Sequence, residues 1–548
     1  MQFSTPLTLR GTLSLLCVAL FFMLTARITT GATALAFDDT VLRFGMQVSS
    51  MGTLDPHFAA GSQDRAFADM VFNGLLRYQP GNAPQLEPDL AASIPEFKMV
   101  NGRQVWTVQL RSGVMFHPGP STPAYELTAD DVIFSLQKSA NRKYSAYAGE
   151  YSGMNFKKRS TYILEIVLDR PASPALFLPK IADYAGGFII SKKAFETNGY
   201  EAFKKHPVGT GPYLFTAYEP GKKISLASNK QYFRGKPHLN SVEMYFMPDI
   251  ADREQALLTD KLDFIIGSGN AAWINAIQHH KDVKIDTFGV GEIATIFLNP
   301  TIKPLDDIRV RKAIAYALSR TSFLQTVDNP FAGLVCSSIP VNFLPGGLTC
   351  SQTRALGLSY EYNLEKARTL LKEAGYPNGF PLELISSKKN LYLTYYDTLS
   401  NQLADIGIIC SIKVVSHAEM HKIIRSKNHP LVIYSAWRPN ADAYLTRFFH
   451  SDSIIVTGKS PDTNFSSYKN IDTLIESART EISPEKQVQL WHHAQIRILS
   501  DMVAFPIMYT TQLFVRRLSV DYGHDLFSSM ALYPQITEKT RKRSPGHK

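Results

Sequence analysis

Along this chain the spacing of hydrophobic positions switches repeatedly between two and three to four residues, a pattern that predicts strands alternating with amphipathic helices. Val41 to Val48 alternates as a strand, and Asp64 to Leu76 sets Phe67, Val71 and Leu75 on one helical face. Val105 to Leu110 reads as another strand, ended by a turn at Ser112-Gly113. Thr128 precedes ADDVIFSLQKS, where its side-chain oxygen can accept free amides while Asp130 and Asp131 suit the positive end of the helix. Asp306 precedes a helical run from Ile308 to Leu318, and Asn363 precedes LEKARTLLKEAG, which Gly375 should close. Arg311 and Lys312 on the first of these helices, and Lys366 and Arg368 on the second, are expected on solvated faces. Leu262 to Ile266 reads as a buried strand. In HPVGTGPY, Gly209, Gly211 and Pro212 mark a turn before a strand from Tyr213 to Tyr218; no Lys-Ser/Thr follows at phosphate-loop spacing. With no repeat of 20 to 50 residues the chain is neither a solenoid nor a propeller, and its class is α/β.

The N-terminus changes this picture. Arg10 leads an uncharged apolar run from Gly11 to Ala26, shorter than the ~20 residues that span a bilayer, and Ala34-Leu35-Ala36 follows as a cleavage pattern. A signal peptide over residues 1–36 is expected, with a membrane anchor as its rival. Cys17 lies inside the apolar run behind Leu15-Leu16 and does not resemble a lipid attachment site, which suits an unlipidated periplasmic protein. The remaining length exceeds what one hydrophobic core organises, so several lobes are expected. The composition, 45% hydrophobic and 19% charged, is that of a globular protein. A net charge of +10 is partly local, in Lys539-Thr540-Arg541-Lys542-Arg543, which is expected to be a frayed tail rather than a nucleic-acid arm. Export permits a disulfide, and Cys336 and Cys350 flank the loop SSIPVNFLPGGLT. Their pairing is expected, with Cys410 a free and poorly accessible thiol; spacing alone leaves two unrelated thiols as the alternative.

Seven segments in order resemble bacterial extracellular solute-binding proteins of family 5, the peptide- and nickel-binding components of ABC importers. They begin with Leu54-Asp55-Pro56 and Val71-Phe72-Asn73-Gly74-Leu75-Leu76. Leu86-Glu87-Pro88-Asp89-Leu90-Ala91 follows, leading to WTVQLRSGVMFHPG and LTADDVIFSL. His206-Pro207-Val208-Gly209-Thr210-Gly211-Pro212-Tyr213 comes next, continued by Asn229, Tyr232 and Gly235-Lys236-Pro237. Asp307-Ile308-Arg309-Val310-Arg311-Lys312-Ala313-Ile314 and Leu370-Leu371-Lys372-Glu373-Ala374-Gly375-Tyr376 complete the set. The resemblance implies a two-lobed periplasmic binding protein, type II-like of cluster C, with an extra subdomain inserted in lobe 1. Lobe 1 would comprise residues 37–84, 206–300 and 507–548, the inserted subdomain 85–205, and lobe 2 residues 301–506.

Peptide-binding relatives place a carboxylate three residues after a second-lobe tryptophan, where it meets the ammonium of the solute. Here Trp437 is followed at that spacing by Asn440, a neutral amide, with Asp442 close by. Trp437, Asn440 and Asp442 are therefore candidate solute contacts; the alternative makes Trp437 core and Asp442 a helix cap. On the first lobe, Gly61 and Ser62 occupy the stretch where relatives approach a ligand, or form only a helix-entry turn. Asn270, behind Gly267-Ser268-Gly269, is a further candidate or a plain loop residue. His417 and His421 stand at a spacing that can hold a metal on a helix, yet not in the order of a zinc protease; no metal and no cofactor are expected. Neither a G-x-S-x-G elbow nor an activated cysteine is present, so no catalytic residue is assigned.

The expected function is capture of a peptide-like or other medium-sized polar solute by a monomer that delivers it to a membrane permease and its ATPases. A secreted hydrolase and a scaffold or adhesin using the same fold are the alternatives.

Overall fold

The computed structural model describes residues 40–289, 291–327 and 329–543. The expected signal peptide, with its cleavage pattern and Cys17, lies outside the described residues, as do Pro545 and Gly546. No helix among the described residues is long and apolar enough to cross a membrane.

Three sheets organise the molecule. A seven-stranded mixed sheet runs, in spatial order, Val283–Phe288, Gln512–Arg517, Phe264–Ile266, Val41–Met46, Ser241–Phe246, Lys223–Ser228 and Tyr213–Glu219. Val41–Met46 is central and pairs in parallel with both neighbours. Its Leu42 and Phe44 are fully buried, and Phe44 stacks on Phe264 at 4.1 Å between ring centres. A second, antiparallel sheet has the order Gly333–Leu334, Ala504–Tyr509, Ile293–Leu298 and Leu431–Ala436. Between residues 85 and 205 lies a third sheet, also antiparallel, in the order Glu96–Val100, Arg103–Gln109, Ile163–Leu168 and Met154–Lys158. Its apolar cluster, built on Trp106, Val108, Leu164 and Ile166, is continuous with that of the second sheet.

The chain crosses between the seven-stranded and second sheets twice, between Phe288 and Ile293 and again between Tyr509 and Gln512. These crossings differ from the boundaries expected at 300/301 and 506/507. Ile293–Leu298 is buried at all six positions, and nothing in its composition marks it as belonging to a different sheet from Val283–Phe288.

Local patterns predict most elements well. The helix Leu364–Glu373 is capped by Asn363, whose side chain accepts from Lys366 N–H, and ends before Gly375 at φ +90°. Several details differ. The helix expected to reach Leu76 is Ser62–Val71, because Asn73 bridges to Ile189 and Leu76–Tyr78 pairs as a strand with Leu86–Pro88. Gly209 and Gly211 form the expected turn against this helix end, where a Cβ on either would strike the carbonyl oxygens of Met70 or Val71. Thr128 does stand at the N-cap of Ala129–Ser139, in a capping box with Asp131, whose carboxylate also accepts from its N–H at 3.0 Å and its hydroxyl at 3.1 Å. Asp307, not Asp306, caps the helix Ile308–Ala317.

Arg311 is not on a solvated face. It is 5% exposed and donates to the carbonyls of Leu305, Asp306 and Asp501, so its charge is absorbed by carbonyl dipoles that the local pattern does not reveal. The basic C-terminus is likewise anchored rather than frayed: Arg541–Lys542 pairs with Val520–Asp521, Lys542 meets Asp263 at 3.0 Å, and Arg541 and Arg543 both meet Asp521. Cys336 and Cys350 form the expected disulfide. Cys410 is a free, half-buried thiol whose pKa burial pushes up to about 11.

Candidate functional site

The residues that meet across the sheets come from three separate stretches. The helix Ser62–Val71 starts at Gly61, whose N–H donates to Asp64 at 3.3 Å; Asp64 also accepts from Gly52 N–H at 2.8 Å. Held in this way, the helix directs Arg65 outward from the seven-stranded sheet's core. There the guanidinium carbon lies 5.0 Å from the ring centre of Tyr184, in the inserted stretch, and 5.3 Å from that of Trp437. Trp437 follows the second-sheet strand Leu431–Ala436, and its ring meets Tyr184 edge-on at 6.5 Å. A cation between two aromatic faces is attracted by their quadrupoles, so three parts of the chain close on one side chain. Two polar atoms in this cluster, Arg65 Nε and Trp437 Nε1, are buried without a hydrogen-bond partner. Both are donors, and buried donors of this kind call for an acceptor.

Asn440 opens the helix Ala441–Phe449 just beyond Trp437, its Oδ1 accepting from Ala443 N–H at 2.9 Å. Asp442 is not the cap; it pairs with Arg479 at 2.9 Å, and Arg479 also receives Ser173 N–H on its carbonyl, a contact between the inserted stretch and the second sheet's side. Gly61 and Ser62, half-buried, touch the cluster only through the helix they begin. Asn270 is exposed and caps its own helix, Ala271–Ile277, accepting from Trp273 N–H at 3.0 Å. Among the described residues it shares no hydrogen bond or ring contact with the Arg65–Trp437 group.

Sequence reasoning missed Arg65, Tyr184 and Glu292. Glu292 sits on the first crossing and its carbonyl accepts from Thr510 N–H on the second, at 2.9 Å. Its side chain keeps solvent access although protein surrounds much of it. Desolvation pushes its carboxyl above the ordinary range, opposed by Lys389 and Arg438. Arg438 itself is lowered by burial; it donates to the carbonyl of Trp437 at 2.8 Å and lies over the Phe448 ring at 4.7 Å. Oppositely charged groups in desolvated surroundings at a chain crossing make Glu292 and Arg438 candidates for the site.

His417 and His421 do lie on one helix, His417–Ser426, with their Nε2 atoms 3.0 Å apart. Arg425 donates to His421 Nδ1 at 2.7 Å, so His421 Nε2 carries the proton and donates to His417, whose Nδ1–H reaches Ser387 Oγ at 3.1 Å. This relay uses every ring nitrogen, and no group of three or more His, Cys, Asp or Glu side chains suited to a metal occurs among the described residues. A cavity of about 240 Å³ lined by Arg77, Glu87, Arg234 and Glu538 is also self-neutralised, Arg77 meeting Glu87 at 2.6 Å and Arg234 meeting Asp89 at 2.8 Å.

Two lobes joined by two crossings, with aromatic and charged groups converging where they meet, have the architecture of a two-lobed solute-binding protein. Residues 85–454 match the model of bacterial extracellular solute-binding proteins, family 5 Middle, and the chain belongs to that family. The family consists of solute-binding proteins rather than enzymes and supplies the substrate-binding components of ABC transporters, and this chain is such a component. It is 25% identical over 500 residues to the probable di/tripeptide-binding protein 5 of Pseudomonas aeruginosa, covering 85% of this chain and 91% of that one. With the dipeptide-binding protein of Escherichia coli it shares 26% identity over 83% of this chain and 86% of the relative. Among solved structures it resembles MoaA of A. tumefaciens R10 in complex with mannopinic acid, at 33% identity and a TM-score of 0.72, covering 92% of this chain and all (100%) of that one.

Proposed function

We propose that this protein is exported to the periplasm through the signal peptide 1–36, and that as a monomer it captures a medium-sized polar solute between its lobes. It then delivers the solute to a membrane permease driven by ATPase subunits. One lobe is built on the seven-stranded sheet, with residues 512–543 returning to it; the other is built on the antiparallel sheet of Ile293–Leu298. The inserted subdomain covers one side of the cleft. The observation that carries this reading is the convergence of Arg65, Tyr184 and Trp437 from those three parts, with two buried donors left unpartnered. Closure of lobes on a solute removes water from it and strengthens each polar contact, and the closed form is what a permease can distinguish.

Peptide-like solutes agree with the di- and tripeptide-binding relatives. One comparison favours a second reading of the solute: the 33% identical MoaA was solved with mannopinic acid, so that compound belongs beside dipeptides in the first titrations. The test is native mass spectrometry of protein taken from its own periplasm, followed by small-angle scattering and calorimetry with whatever solute is retained. Compaction on binding, with affinity lost in Trp437→Ala at little change in melting temperature, is the expected result. A protein that carries no solute and compacts with none from the panel of peptides and mannopinic acid would refute the reading.

A further inference from the structure

The Arg65 cluster carries information about the solute's charge. Arg65 is half-buried, and among the described residues no carboxylate comes within 4.0 Å of its guanidinium. Its acidic neighbours are already committed. Asp64 accepts the N–H groups of Gly52 and Gly61, and Asp442 holds Arg479. The Tyr147 hydroxyl is hydrogen-bonded to the guanidinium and donates its own proton to the Ala59 carbonyl, which serves part of the fork but leaves Arg65 Nε–H unpaired. Glu150 and Arg447 act on Tyr184 from a greater distance with opposite signs. What remains is a cation held between two rings, with one buried N–H of its own and one from the Trp437 indole, and no acceptor for either. Ring faces attract the charge but leave these two donors unsatisfied, and a buried N–H without an acceptor is costly.

An oxyanion satisfies both donors and the charge together. The planar guanidinium fork matches a carboxylate, whose two oxygens can divide between arginine and indole. We propose that Arg65 and the indole N–H of Trp437 form the subsite for a carboxylate of the solute, so that this protein selects acids at neutral pH. The inference rests on the reading of the cleft as the solute site and extends it to a solute class. It also gives the neutral Asn440 a meaning: this position adds no negative charge beside Trp437 that would repel such a group.

The experiment compares wild type, Arg65→Gln and Arg65→Lys by thermal shift with sodium glutarate, sodium sulfate and sodium chloride at matched ionic strength, and by calorimetry with mannopinic acid. Glutarate should raise the wild-type melting temperature saturably and beyond sulfate, and should fail to do so in Arg65→Gln. Mannopinic acid should bind Arg65→Gln at least about ten-fold more weakly, the usual effect of losing a charge-assisted hydrogen bond, with Arg65→Lys between the two because charge remains while the fork is lost. Circular dichroism of both variants reports their folding, and Arg65→Lys serves if Arg65→Gln does not fold. Equal stabilisation by sulfate, no glutarate effect in wild type, or an undiminished effect in Arg65→Gln would each overturn the proposal. A retained solute that compacts the protein with an affinity independent of Arg65 sinks the carboxylate subsite alone, whereas absence of any compacting solute sinks the cleft reading beneath it.

Discussion

Lys138 offers the sharpest test of how the binding surface is held in place. It lies in the helix Ala129–Ser139, is 4% exposed, and reaches Asp55, which is fully buried, at 3.0 and 2.8 Å through the two carboxylate oxygens. The same ammonium donates to the Tyr144 carbonyl at 2.8 Å and to His57 Nδ1 at 3.2 Å, while His57 Nε2 bonds the Phe188 carbonyl. Burial pulls the ammonium's pKa down while Asp55 pulls it back up, and burial with Lys138 holds His57 well below the ordinary imidazole range. Lys138→Met keeps the aliphatic stem but leaves the Asp55 carboxylate buried without a counter-charge, its remaining partners being the His57 N–H at 3.0 Å and the Tyr200 hydroxyl. Removing one member of such a pair costs about 3–5 kcal/mol. For a chain of about 500 residues unfolding as one body, at ~2.1 cal/mol/K per residue, that lowers the melting temperature by roughly 3–5 °C. Adding Asp55→Asn should recover more than half of the loss, because the amide oxygen still caps His57 N–H and no charge is left stranded. Because Ser139 also donates to the Gly186 carbonyl at 2.6 Å, this network sets Tyr184 against Arg65, and solute affinity should fall along with stability. Scanning calorimetry of the two single variants and the double variant checks this; a single variant within about 1 °C of wild type, or a double variant less stable than Lys138→Met, would refute the reasoning.

Three further outcomes follow. Cys336→Ser with Cys350→Ser should cost ~3 kcal/mol by loop-closure entropy yet leave the loop in place, because Ser337 Oγ still bonds Leu348 N–H at 2.8 Å; peptide mapping that finds both thiols free in native protein would remove the basis of this figure. Asn440→Asp should melt no lower than wild type, since aspartate caps the Ala443 N–H equally well and gains about 0.3–1 kcal/mol at the helix start, while solute affinity should drop about ten-fold; tighter binding would mean that the cleft reads an ammonium. His117, bonded through Nε2 to the Gly211 carbonyl, has its pKa pulled down from 6.5 to about 4 by burial, so between those values the unfolded chain binds the extra proton. Its contribution is complete above pH 6.5 and ~3 kcal/mol is lost as pH falls to about 4. Raised carboxyls such as Glu292 and Asp263 act in the opposite sense, so the measurement is the difference in slope between wild type and His117→Asn, and equal slopes would contradict the assignment.

The parts of the molecule that were legible in the sequence are those whose causes are local. Asn363 and Gly375 bracket a helix because a side-chain cap and a positive φ act within a few residues, and Cys336 and Cys350 flank the loop they close. The misread residues have distant partners. Arg311 looked solvated because the Asp501 carbonyl that absorbs its charge is nearly two hundred residues away. The basic C-terminus looked frayed because Asp263, which holds Lys542, lies before a strand of the seven-stranded sheet, far back along the chain.

The same physics explains why Trp437 could be read and Arg65 could not. A tryptophan outside any amphipathic period, just before a helix cap, has no local partner and so stands out. Arginine in QDRAFADM falls on the polar side of a helix period and looks satisfied by water. In the folded chain that polar side faces not bulk solvent but the other lobe, and water is replaced there by the rings of Tyr184 and Trp437. A two-lobed binder makes its site from surfaces that each lobe alone would solvate, so the residues proposed for that site carry the pattern of ordinary surface. What sets Arg65 and Trp437 apart from that surface is that their unpaired donors meet on one cation–π contact once the lobes are brought together.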